Sequence, residues 1–302
     1  MRRLTYARLR RSLKARIRGL LSSYYFSNRH FYQKAIRGRA AQRAWRTIST
    51  SYPELLEFAT PMLEARMKAS PGLALAGIKI KCPEVLYLFE RVLQWRPRTV
   101  LECGAGTSTV ALAYGLYKVH VETGVRGHLV SMEENHEYLN GLVIPNFPKA
   151  LLEYVEFVES PKSFFRYRAD GSQVEYEGIC YTDVPKLDYD LIYVDGPSYS
   201  WVEGKRAFEH VSPEADWSQV REPLFNSDSL NYLLEAHNET RIVVDQRIRT
   251  RRTLKEFLHG NYRVRYKFAA MKSEFFVRPQ NVRRVHRVPL IKGSSSLPNG
   301  ST

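Results

Sequence analysis

The sequence predicts an α/β fold: a doubly wound sheet, mostly parallel, with an antiparallel hairpin at its C-terminal edge. Three observations predict it. An apolar strand, a glycine turn and a helix follow one another at residues 98–113. Two further apolar strands, 187–195 and 241–245, each run into an aspartate, and residues 262–268 and 274–278 form a strand pair. Strands of a parallel sheet are buried on both faces and appear as continuous apolar runs, whereas a hairpin needs only a short turn.

The stretch at residues 98–113 favours a ligand crevice at the end of its strand. Gly104 and Gly106 free the backbone from the steric limits of a Cβ atom. The first amides of the helix, from Thr107 to Thr109, are expected to point into the crevice and to favour a carboxylate or phosphate. Glu102 lies two residues before the first glycine, where it would repel a pyrophosphate and hold an amino group. The alternative is a plain tight connection with Glu102 in solvent.

This pattern, Glu-x-Gly-x-Gly-x-Ser after an apolar strand, resembles motif I of the class I S-adenosylmethionine-dependent methyltransferases. The resemblance implies a Rossmann-like sheet and S-adenosylmethionine as cofactor. It assigns six residues to cofactor binding: Glu102, Gly104, Ala105, Gly106, Thr107 and Ser108. A nicotinamide or flavin enzyme is the alternative, but its Gly-x-Gly-x-x-Gly pattern needs a third glycine where Thr109 stands.

Two more strands are predicted after the glycine helix, at residues 128–133 and 155–159. In a Rossmann-like sheet, an acid at the end of the first would accept hydrogen bonds from both ribose hydroxyls. We predict Glu133 for this role, with Glu134 as the alternative register. Acidic residues are also favoured at a helix N-terminus, which is a structural reason for both. Ser160, just beyond the second strand, would face the adenine.

The strand that ends in Asp195 and Gly196 resembles the fourth strand of small-molecule and sugar O-methyltransferases. Its position predicts that Asp195 lies beside the cofactor and is catalytic, as a general base or as a group that positions the acceptor. Many such enzymes have a histidine shortly afterwards, whereas this chain has Pro197 and Ser198. His210 and Tyr199 are therefore the candidate substitutes.

A metal site is a second hypothesis for the same strand ends. Asp195, Asp245 and Gln246 offer oxygen ligands suited to Mg²⁺ or another divalent cation, which would lower the pKa of a substrate hydroxyl. The arrangement resembles that of metal-dependent O-methyltransferases, although Gln246 replaces their asparagine or acid. One aspartate per strand end is also expected for hydrogen bonding alone.

The net charge of +15 belongs to the N-terminal segment. Residues 1–46 contain fourteen Lys or Arg and no acid, so the remaining 32 basic and 31 acidic residues almost cancel. We expect a basic helical arm (1–50), a helical cap (51–96) split into pieces at Pro61, a methyltransferase domain (97–280), and a flexible basic, then Gly/Ser-rich tail (281–302). Three cysteines, an odd number far apart, argue against a disulfide framework or a zinc cluster.

The arm has an apolar stripe between arginine-rich flanks. It would contact an anionic membrane surface, RNA or a protein partner, including a second copy in a homo-oligomer, or it is only a solvated helical extension. A cytoplasmic protein, free or peripheral to a membrane, is the expectation. The mitochondrial matrix is the alternative, because the arm is rich in arginine and free of acid.

The sequence thus favours O-methylation of a small molecule or of a sugar or glycan hydroxyl. Residues 162–186, expected to form a hairpin or insertion, together with Arg247, Arg249 and Arg251, would suit an acidic acceptor such as a uronic sugar. The alternative is an inactive methyltransferase-like protein that binds RNA or supports assembly through its arm. The Asp-Gly-Pro-Ser sequence at residues 195–198 lacks the Asn/Asp-Pro-Pro-aromatic motif usual in enzymes that methylate amino groups of nucleic acids.

Overall fold

The computed structural model describes residues 29–69, 78–198, 224–267 and 270–289. The longer helices are α1 (Arg29–Ser51), α2 (Pro53–Ala69), α3 (Cys82–Trp95), α4 (Thr107–Thr123), α5 (Asp228–Glu235) and α6 (Ile248–Glu256). The strands are β1 (Thr99–Cys103), β2 (His128–Glu133), β3 (Val155–Glu159), β4 (Lys162–Ala169), β5 (Glu175–Tyr181), β6 (Leu191–Val194), β7 (Phe225–Asn226), β8 (Thr240–Val244), β9 (Arg263–Lys267), β10 (Lys272–Val277) and β11 (Val285–Pro289). Short helical segments are Ile78–Lys81, His136–Tyr138, Leu139–Val143, Ile144–Asn146, Lys149–Tyr154 and Pro279–Asn281.

The central sheet has seven strands in the order β3-β2-β1-β6-β8-β10-β9. The first five are parallel, and β10 is antiparallel to both of its neighbours. The predicted fold class and the predicted edge hairpin are therefore confirmed. The order reverses between β1 and β6, and open α/β sheets bind ligands at the carboxyl ends of the strands beside such a switch point.

The sheet is covered on both faces because successive side chains of its strands point to opposite sides. Val100 joins one hydrophobic cluster with α1 to α4, whereas Leu101 and Cys103 join a second cluster with α5, α6 and the smaller sheet. All three cysteines are described and buried, and they form no disulfide with one another. Of the helices in the described ranges, none has the length and apolarity needed to cross a membrane.

A second sheet, in the order β11-β4-β5-β7, builds on the hairpin predicted at residues 162–186. Its edge strand corrects one expectation. Val285–Pro289 falls in the stretch predicted to be a flexible tail, but it forms β11 and pairs antiparallel with β4. The backbone hydrogen bonds of this ladder, which composition does not reveal, order the segment. Residues 290–302 lie outside the described ranges.

The cap also differs from expectation at Pro61. This proline lies inside one continuous helix, α2, instead of separating two pieces. Met62 and Leu63 after the proline are buried like Leu55 and Ala59 before it, so packing of one face outweighs the lost backbone hydrogen bond. Helix α1 packs on the cap through Ala44 and Ile48, which lie in the same hydrophobic cluster as residues of α2 and α3. Residues 1–28 of the predicted arm lie outside the described ranges.

Candidate active site

The crevice at the switch point is formed by the loops that follow β1 and β6, which touch each other. Gly104 has a φ of +101°, and a Cβ added there would lie 2.9 Å from the backbone nitrogen of Gly196. The backbone N–H of Asp195 donates to the carbonyl of Cys103 over 2.9 Å. Only a residue without a side chain fits at position 104, as the motif predicted.

The turn after β1 is tied to the neighbouring strand β2. The backbone N–H groups of Gly104 and Ala105 both donate to the carbonyl of Met132, each over 3.0 Å. Thr107 and Ser108, the first residues of α4, are buried. The Thr107 hydroxyl has no hydrogen-bond partner among the described residues. The predicted cofactor turn is therefore a rigid element with a spare buried polar group.

Glu102 is completely buried beneath this turn. Its Oε2 accepts hydrogen bonds from the hydroxyls of Thr109 (2.6 Å) and Ser131 (2.7 Å). Its Oε1 is buried and, within the described ranges, without a partner. Burial raises the pKa of Glu102 to about 7, and the nearby hydroxyls of Ser108, Thr109 and Ser131 oppose this shift. A buried carboxylate oxygen left unpaired is costly unless a ligand donor reaches it.

Two side chains from other elements cover Gly106, and neither is predicted from the sequence. A Cβ at Gly106 would lie 3.0 Å from Nη1 of Arg66, on cap helix α2, and 3.1 Å from the hydroxyl of Tyr138. The Arg66 guanidinium also lies 5.9 Å from the centre of the Tyr138 ring. The Tyr138 hydroxyl is buried, and no described residue forms a hydrogen bond with it. A cation and a free hydroxyl thus face the glycine turn.

The structure separates the roles of the two glutamates at the end of β2. Glu134 Oε1 accepts from the backbone N–H of Ser198, and its Oε2 accepts from the hydroxyl of Tyr181, both over 2.8 Å. Glu133 Oε1 accepts the N–H groups of Glu134 and Asn135. Burial and the charge of Glu134 raise the pKa of Glu133 to about 7. Glu134 is therefore occupied in joining loops, and the role of Glu133 as the ribose ligand stays a prediction.

Ser160 is completely buried at the end of β3. Its hydroxyl accepts the backbone N–H groups of Thr182 (3.1 Å) and Asp183 (3.0 Å). These bonds join β3 to the loop after β5 and give the side chain a structural role. The contact of Ser160 with adenine stays a prediction.

Asp195 opens onto the crevice, with 34% of its side chain exposed. Partial burial, together with the charges of Asp245 and Glu84, raises its pKa to about 7, while Lys272 and Arg247 oppose the shift. The Arg247 guanidinium donates to the backbone carbonyl of Asp195 and lies 3.9 Å from Oδ1. A carboxylate with a pKa near neutrality is suited to accept and release a proton.

Asp195, Asp245 and Glu84 form an acidic cluster, each offering an oxygen within 4.8 Å of the others. The first two were predicted as metal ligands, whereas Glu84 comes from α3 and was not. Lys272, at the start of β10, places Nζ 2.7 Å from Glu84 Oε1 and 2.5 Å from Asp245 Oδ1. With an ammonium already bound to two of its three carboxylates, this set of residues does not fit a divalent cation.

Gln246, proposed as a metal ligand, is exposed. His210 and Tyr199, the candidate bases, lie outside the described residues.

No protein-family model matches the sequence, and no curated protein matches it. Similar solved structures exist at low identity. An S-adenosylhomocysteine-bound methyltransferase from Podospora anserina is 12% identical over 79% of this chain and 94% of its own, with a TM-score of 0.43. An O-methyltransferase from Bacillus cereus in complex with S-adenosylhomocysteine is 13% identical over 78% and 95%, with a TM-score of 0.41. A protein described as an O-methyltransferase from Klebsiella pneumoniae is 14% identical over 65% and 80%, with a TM-score of 0.36.

Similarities at these levels do not indicate an activity. What decides the architecture is the strand order together with the antiparallel β10. The observed topology is the Rossmann-like sheet with an antiparallel C-terminal edge that the resemblance to class I methyltransferases predicted. The carboxyl ends of β1, β2 and β6 share one edge of the sheet, and Glu102, Glu133 and Asp195 lie at these ends.

Proposed function

We propose that the protein is an S-adenosylmethionine-dependent methyltransferase that methylates a hydroxyl oxygen of a small molecule or glycan. One observation carries the proposal: the glycine turn lies between a buried carboxylate oxygen without a partner among the described residues, Glu102 Oε1, and the Arg66 guanidinium, whose Nη1 lies 3.0 Å from a Cβ placed on Gly106. Three acids and one cation around a glycine turn suit a ligand with an ammonium, a carboxylate and ribose hydroxyls.

Each group has a matching partner in such a ligand. The unpaired Oε1 of Glu102 accepts a hydrogen bond from the ammonium group, which replaces the missing donor in the buried site. Arg66 pairs with the carboxylate of the methionyl part above Gly106. Glu133 accepts the ribose hydroxyls. The ligand therefore supplies the donor that Glu102 Oε1 lacks in the free protein.

The reaction needs a base at the end of β6. S-adenosylmethionine supplies an electrophilic methyl group on a sulfonium. Asp195 accepts the hydroxyl proton of the acceptor as the acceptor oxygen attacks, and Arg247 holds the Asp195 loop through its carbonyl. With a pKa of about 7, Asp195 is substantially ionised near neutral pH and remains basic enough to take the proton.

The rim of the crevice favours an acidic acceptor. Arg247 and Arg249 retain 24% and 28% exposure of their side chains, and Arg249 lies 3.4 Å from Glu177. Guanidinium groups bind carboxylates through paired hydrogen bonds, so a uronic sugar fits better than a neutral one. The partners predicted for the basic arm remain predictions, and so does the alternative of an inactive assembly or RNA-binding protein.

The direct test is a screen of acceptors with methyl-labelled S-adenosylmethionine and the full chain. The acceptors include simple phenols and pairs that consist of a uronic acid and its neutral sugar. The phenols test whether a hydroxyl group is sufficient, and the pairs test whether the acceptor must also carry a negative charge. We expect label on a hydroxyl oxygen, with more transfer to the uronic member of a pair. Binding of S-adenosylhomocysteine without transfer to any acceptor would favour the inactive alternative.

A further inference from the structure

We propose that the ammonium group of Lys272 stands permanently where a metal-dependent methyltransferase would hold its divalent cation, so that this site works with a built-in organic cation. The inference rests on the proposed function for the role of the cluster in methyl transfer. The position of the lysine itself is independent of that function.

Lys272 is bound as completely as an ammonium can be. Its side chain is 1% exposed. Besides Glu84 and Asp245, Nζ has a third partner, the hydroxyl of Tyr193 at 2.7 Å. An ammonium has three N–H donors, and these three acceptors use all of them. The contacts come from α3, β6 and the loop after β8, so several elements fix the lysine in place.

The oxygens of Glu84 are also fully used. Oε1 accepts from Lys272 and from the Tyr193 hydroxyl, and Oε2 accepts from Lys81 over 2.9 Å. Burial favours the neutral acid, but the charges of Lys272 and Lys81 outweigh it and hold the pKa of Glu84 well below its usual value. Burial likewise opposes the charge of Lys272, yet Glu84, Asp245 and Asp195 outweigh it and raise the lysine pKa.

A divalent cation would have to displace this lysine to reach the carboxylates. The displaced ammonium would lose its three acceptors in a buried environment and would lie beside a second positive ion. Both effects oppose metal binding, because an unpaired buried charge is among the most costly features of a protein interior.

The arrangement also explains which carboxylate is left for the acceptor. Glu84 and Asp245 each retain 12% exposure and are bound by Lys272, whereas Asp195 retains 34%. Lys272 is therefore a positioning residue. Its positive charge pairs with Glu84 and Asp245 and leaves Asp195 open to the crevice.

The test measures Mn²⁺ binding to the full chain, without cofactor, from the electron paramagnetic resonance signal of free Mn²⁺. We expect no binding at the cluster in the wild-type protein or in Lys272→Arg, which keeps the cation. Lys272→Ala is expected to bind one Mn²⁺ at least about tenfold more tightly than the wild type, and Mn²⁺ should raise its Tm. Adding Asp245→Asn to Lys272→Ala should abolish both effects.

Two outcomes would overturn the proposal. The first is a wild-type Mn²⁺ site that Asp245→Asn removes, a measurement that needs no lysine variant to fold. The second is a folded Lys272→Ala protein that binds no Mn²⁺. A parallel titration with S-adenosylhomocysteine reports on the proposed function separately, because the Mn²⁺ result does not depend on it.

Discussion

Replacing Asp195 by asparagine is expected to lower kcat by about 10²–10⁴-fold, the usual contribution of a general base. The amide keeps the shape of the side chain but cannot accept the hydroxyl proton, so S-adenosylhomocysteine affinity should change little. The pH profile of the wild-type protein is a second test of Asp195 as the general base. Because the basic form is the active one and the pKa is about 7, kcat/KM should be low at pH 6, rise through neutrality and level off above pH 8.

The matched control is Asp188→Asn, an exposed aspartate before the amino end of the same strand. It should retain wild-type kcat and the same pH profile. If Asp195→Asn retains kcat within a few-fold, or if its loss of rate is matched by an equal loss of cofactor affinity, Asp195 is not the base.

Glu102→Gln is expected to have opposite effects on stability and on ligand binding. In the free protein, burial raises the pKa of Glu102 to about 7, so ionising this group in the folded state costs stability. The neutral Glu102 carboxyl contributes its full stability to the folded protein below about pH 4, near the pKa of the unfolded chain. This contribution is lost as the pH rises through the folded pKa of about 7. The variant has no such charge, so at pH 8 it should be more stable than the wild type, by up to about 3 kcal/mol.

The same variant should bind S-adenosylhomocysteine about 10- to 100-fold more weakly, because a neutral amide gives up the charge-assisted bond to the ammonium group. Thermal unfolding at pH 5.5 and pH 8, with and without S-adenosylhomocysteine, measures both effects. Glu156→Gln, an exposed glutamate on β3, is the control and should change neither. If S-adenosylhomocysteine stabilises the wild type and Glu102→Gln equally, the ammonium group of the ligand does not bind to Oε1 of Glu102.

The elements of the fold were predictable from the sequence where a local pattern of residues determines them. The strands at 128–133 and 155–159 are apolar or alternating runs with clear ends, and the structure has both at those bounds. The prediction failed where long-range packing decides. A proline normally ends a helix, but the buried face of α2 carries the helix through Pro61. Likewise, β11 exists because β4 offers it an edge, which no local pattern reports.

The candidate site divides in the same way. Glu102, Glu133 and Asp195 were predictable because each ends a strand of the parallel sheet, and such ends share one edge. Arg66, Tyr138 and Lys272 come from a cap helix, a short helical segment and an antiparallel strand, whose placement depends on the whole fold. One signal was available: β10 begins with Lys-Ser-Glu, three polar residues that the structure buries. Polar residues at the start of a buried strand indicate specific partners.

Calorimetric titration of the full chain with S-adenosylhomocysteine, comparing wild type, Glu133→Ala and Glu156→Ala, tests the central claim most directly. That claim is that one nucleoside ligand occupies the edge shared by β1, β2 and β6. We expect one binding site in the wild type, the same affinity in Glu156→Ala, and a loss of affinity of at least about tenfold in Glu133→Ala. No binding by the wild type, or unchanged binding by Glu133→Ala, would contradict it.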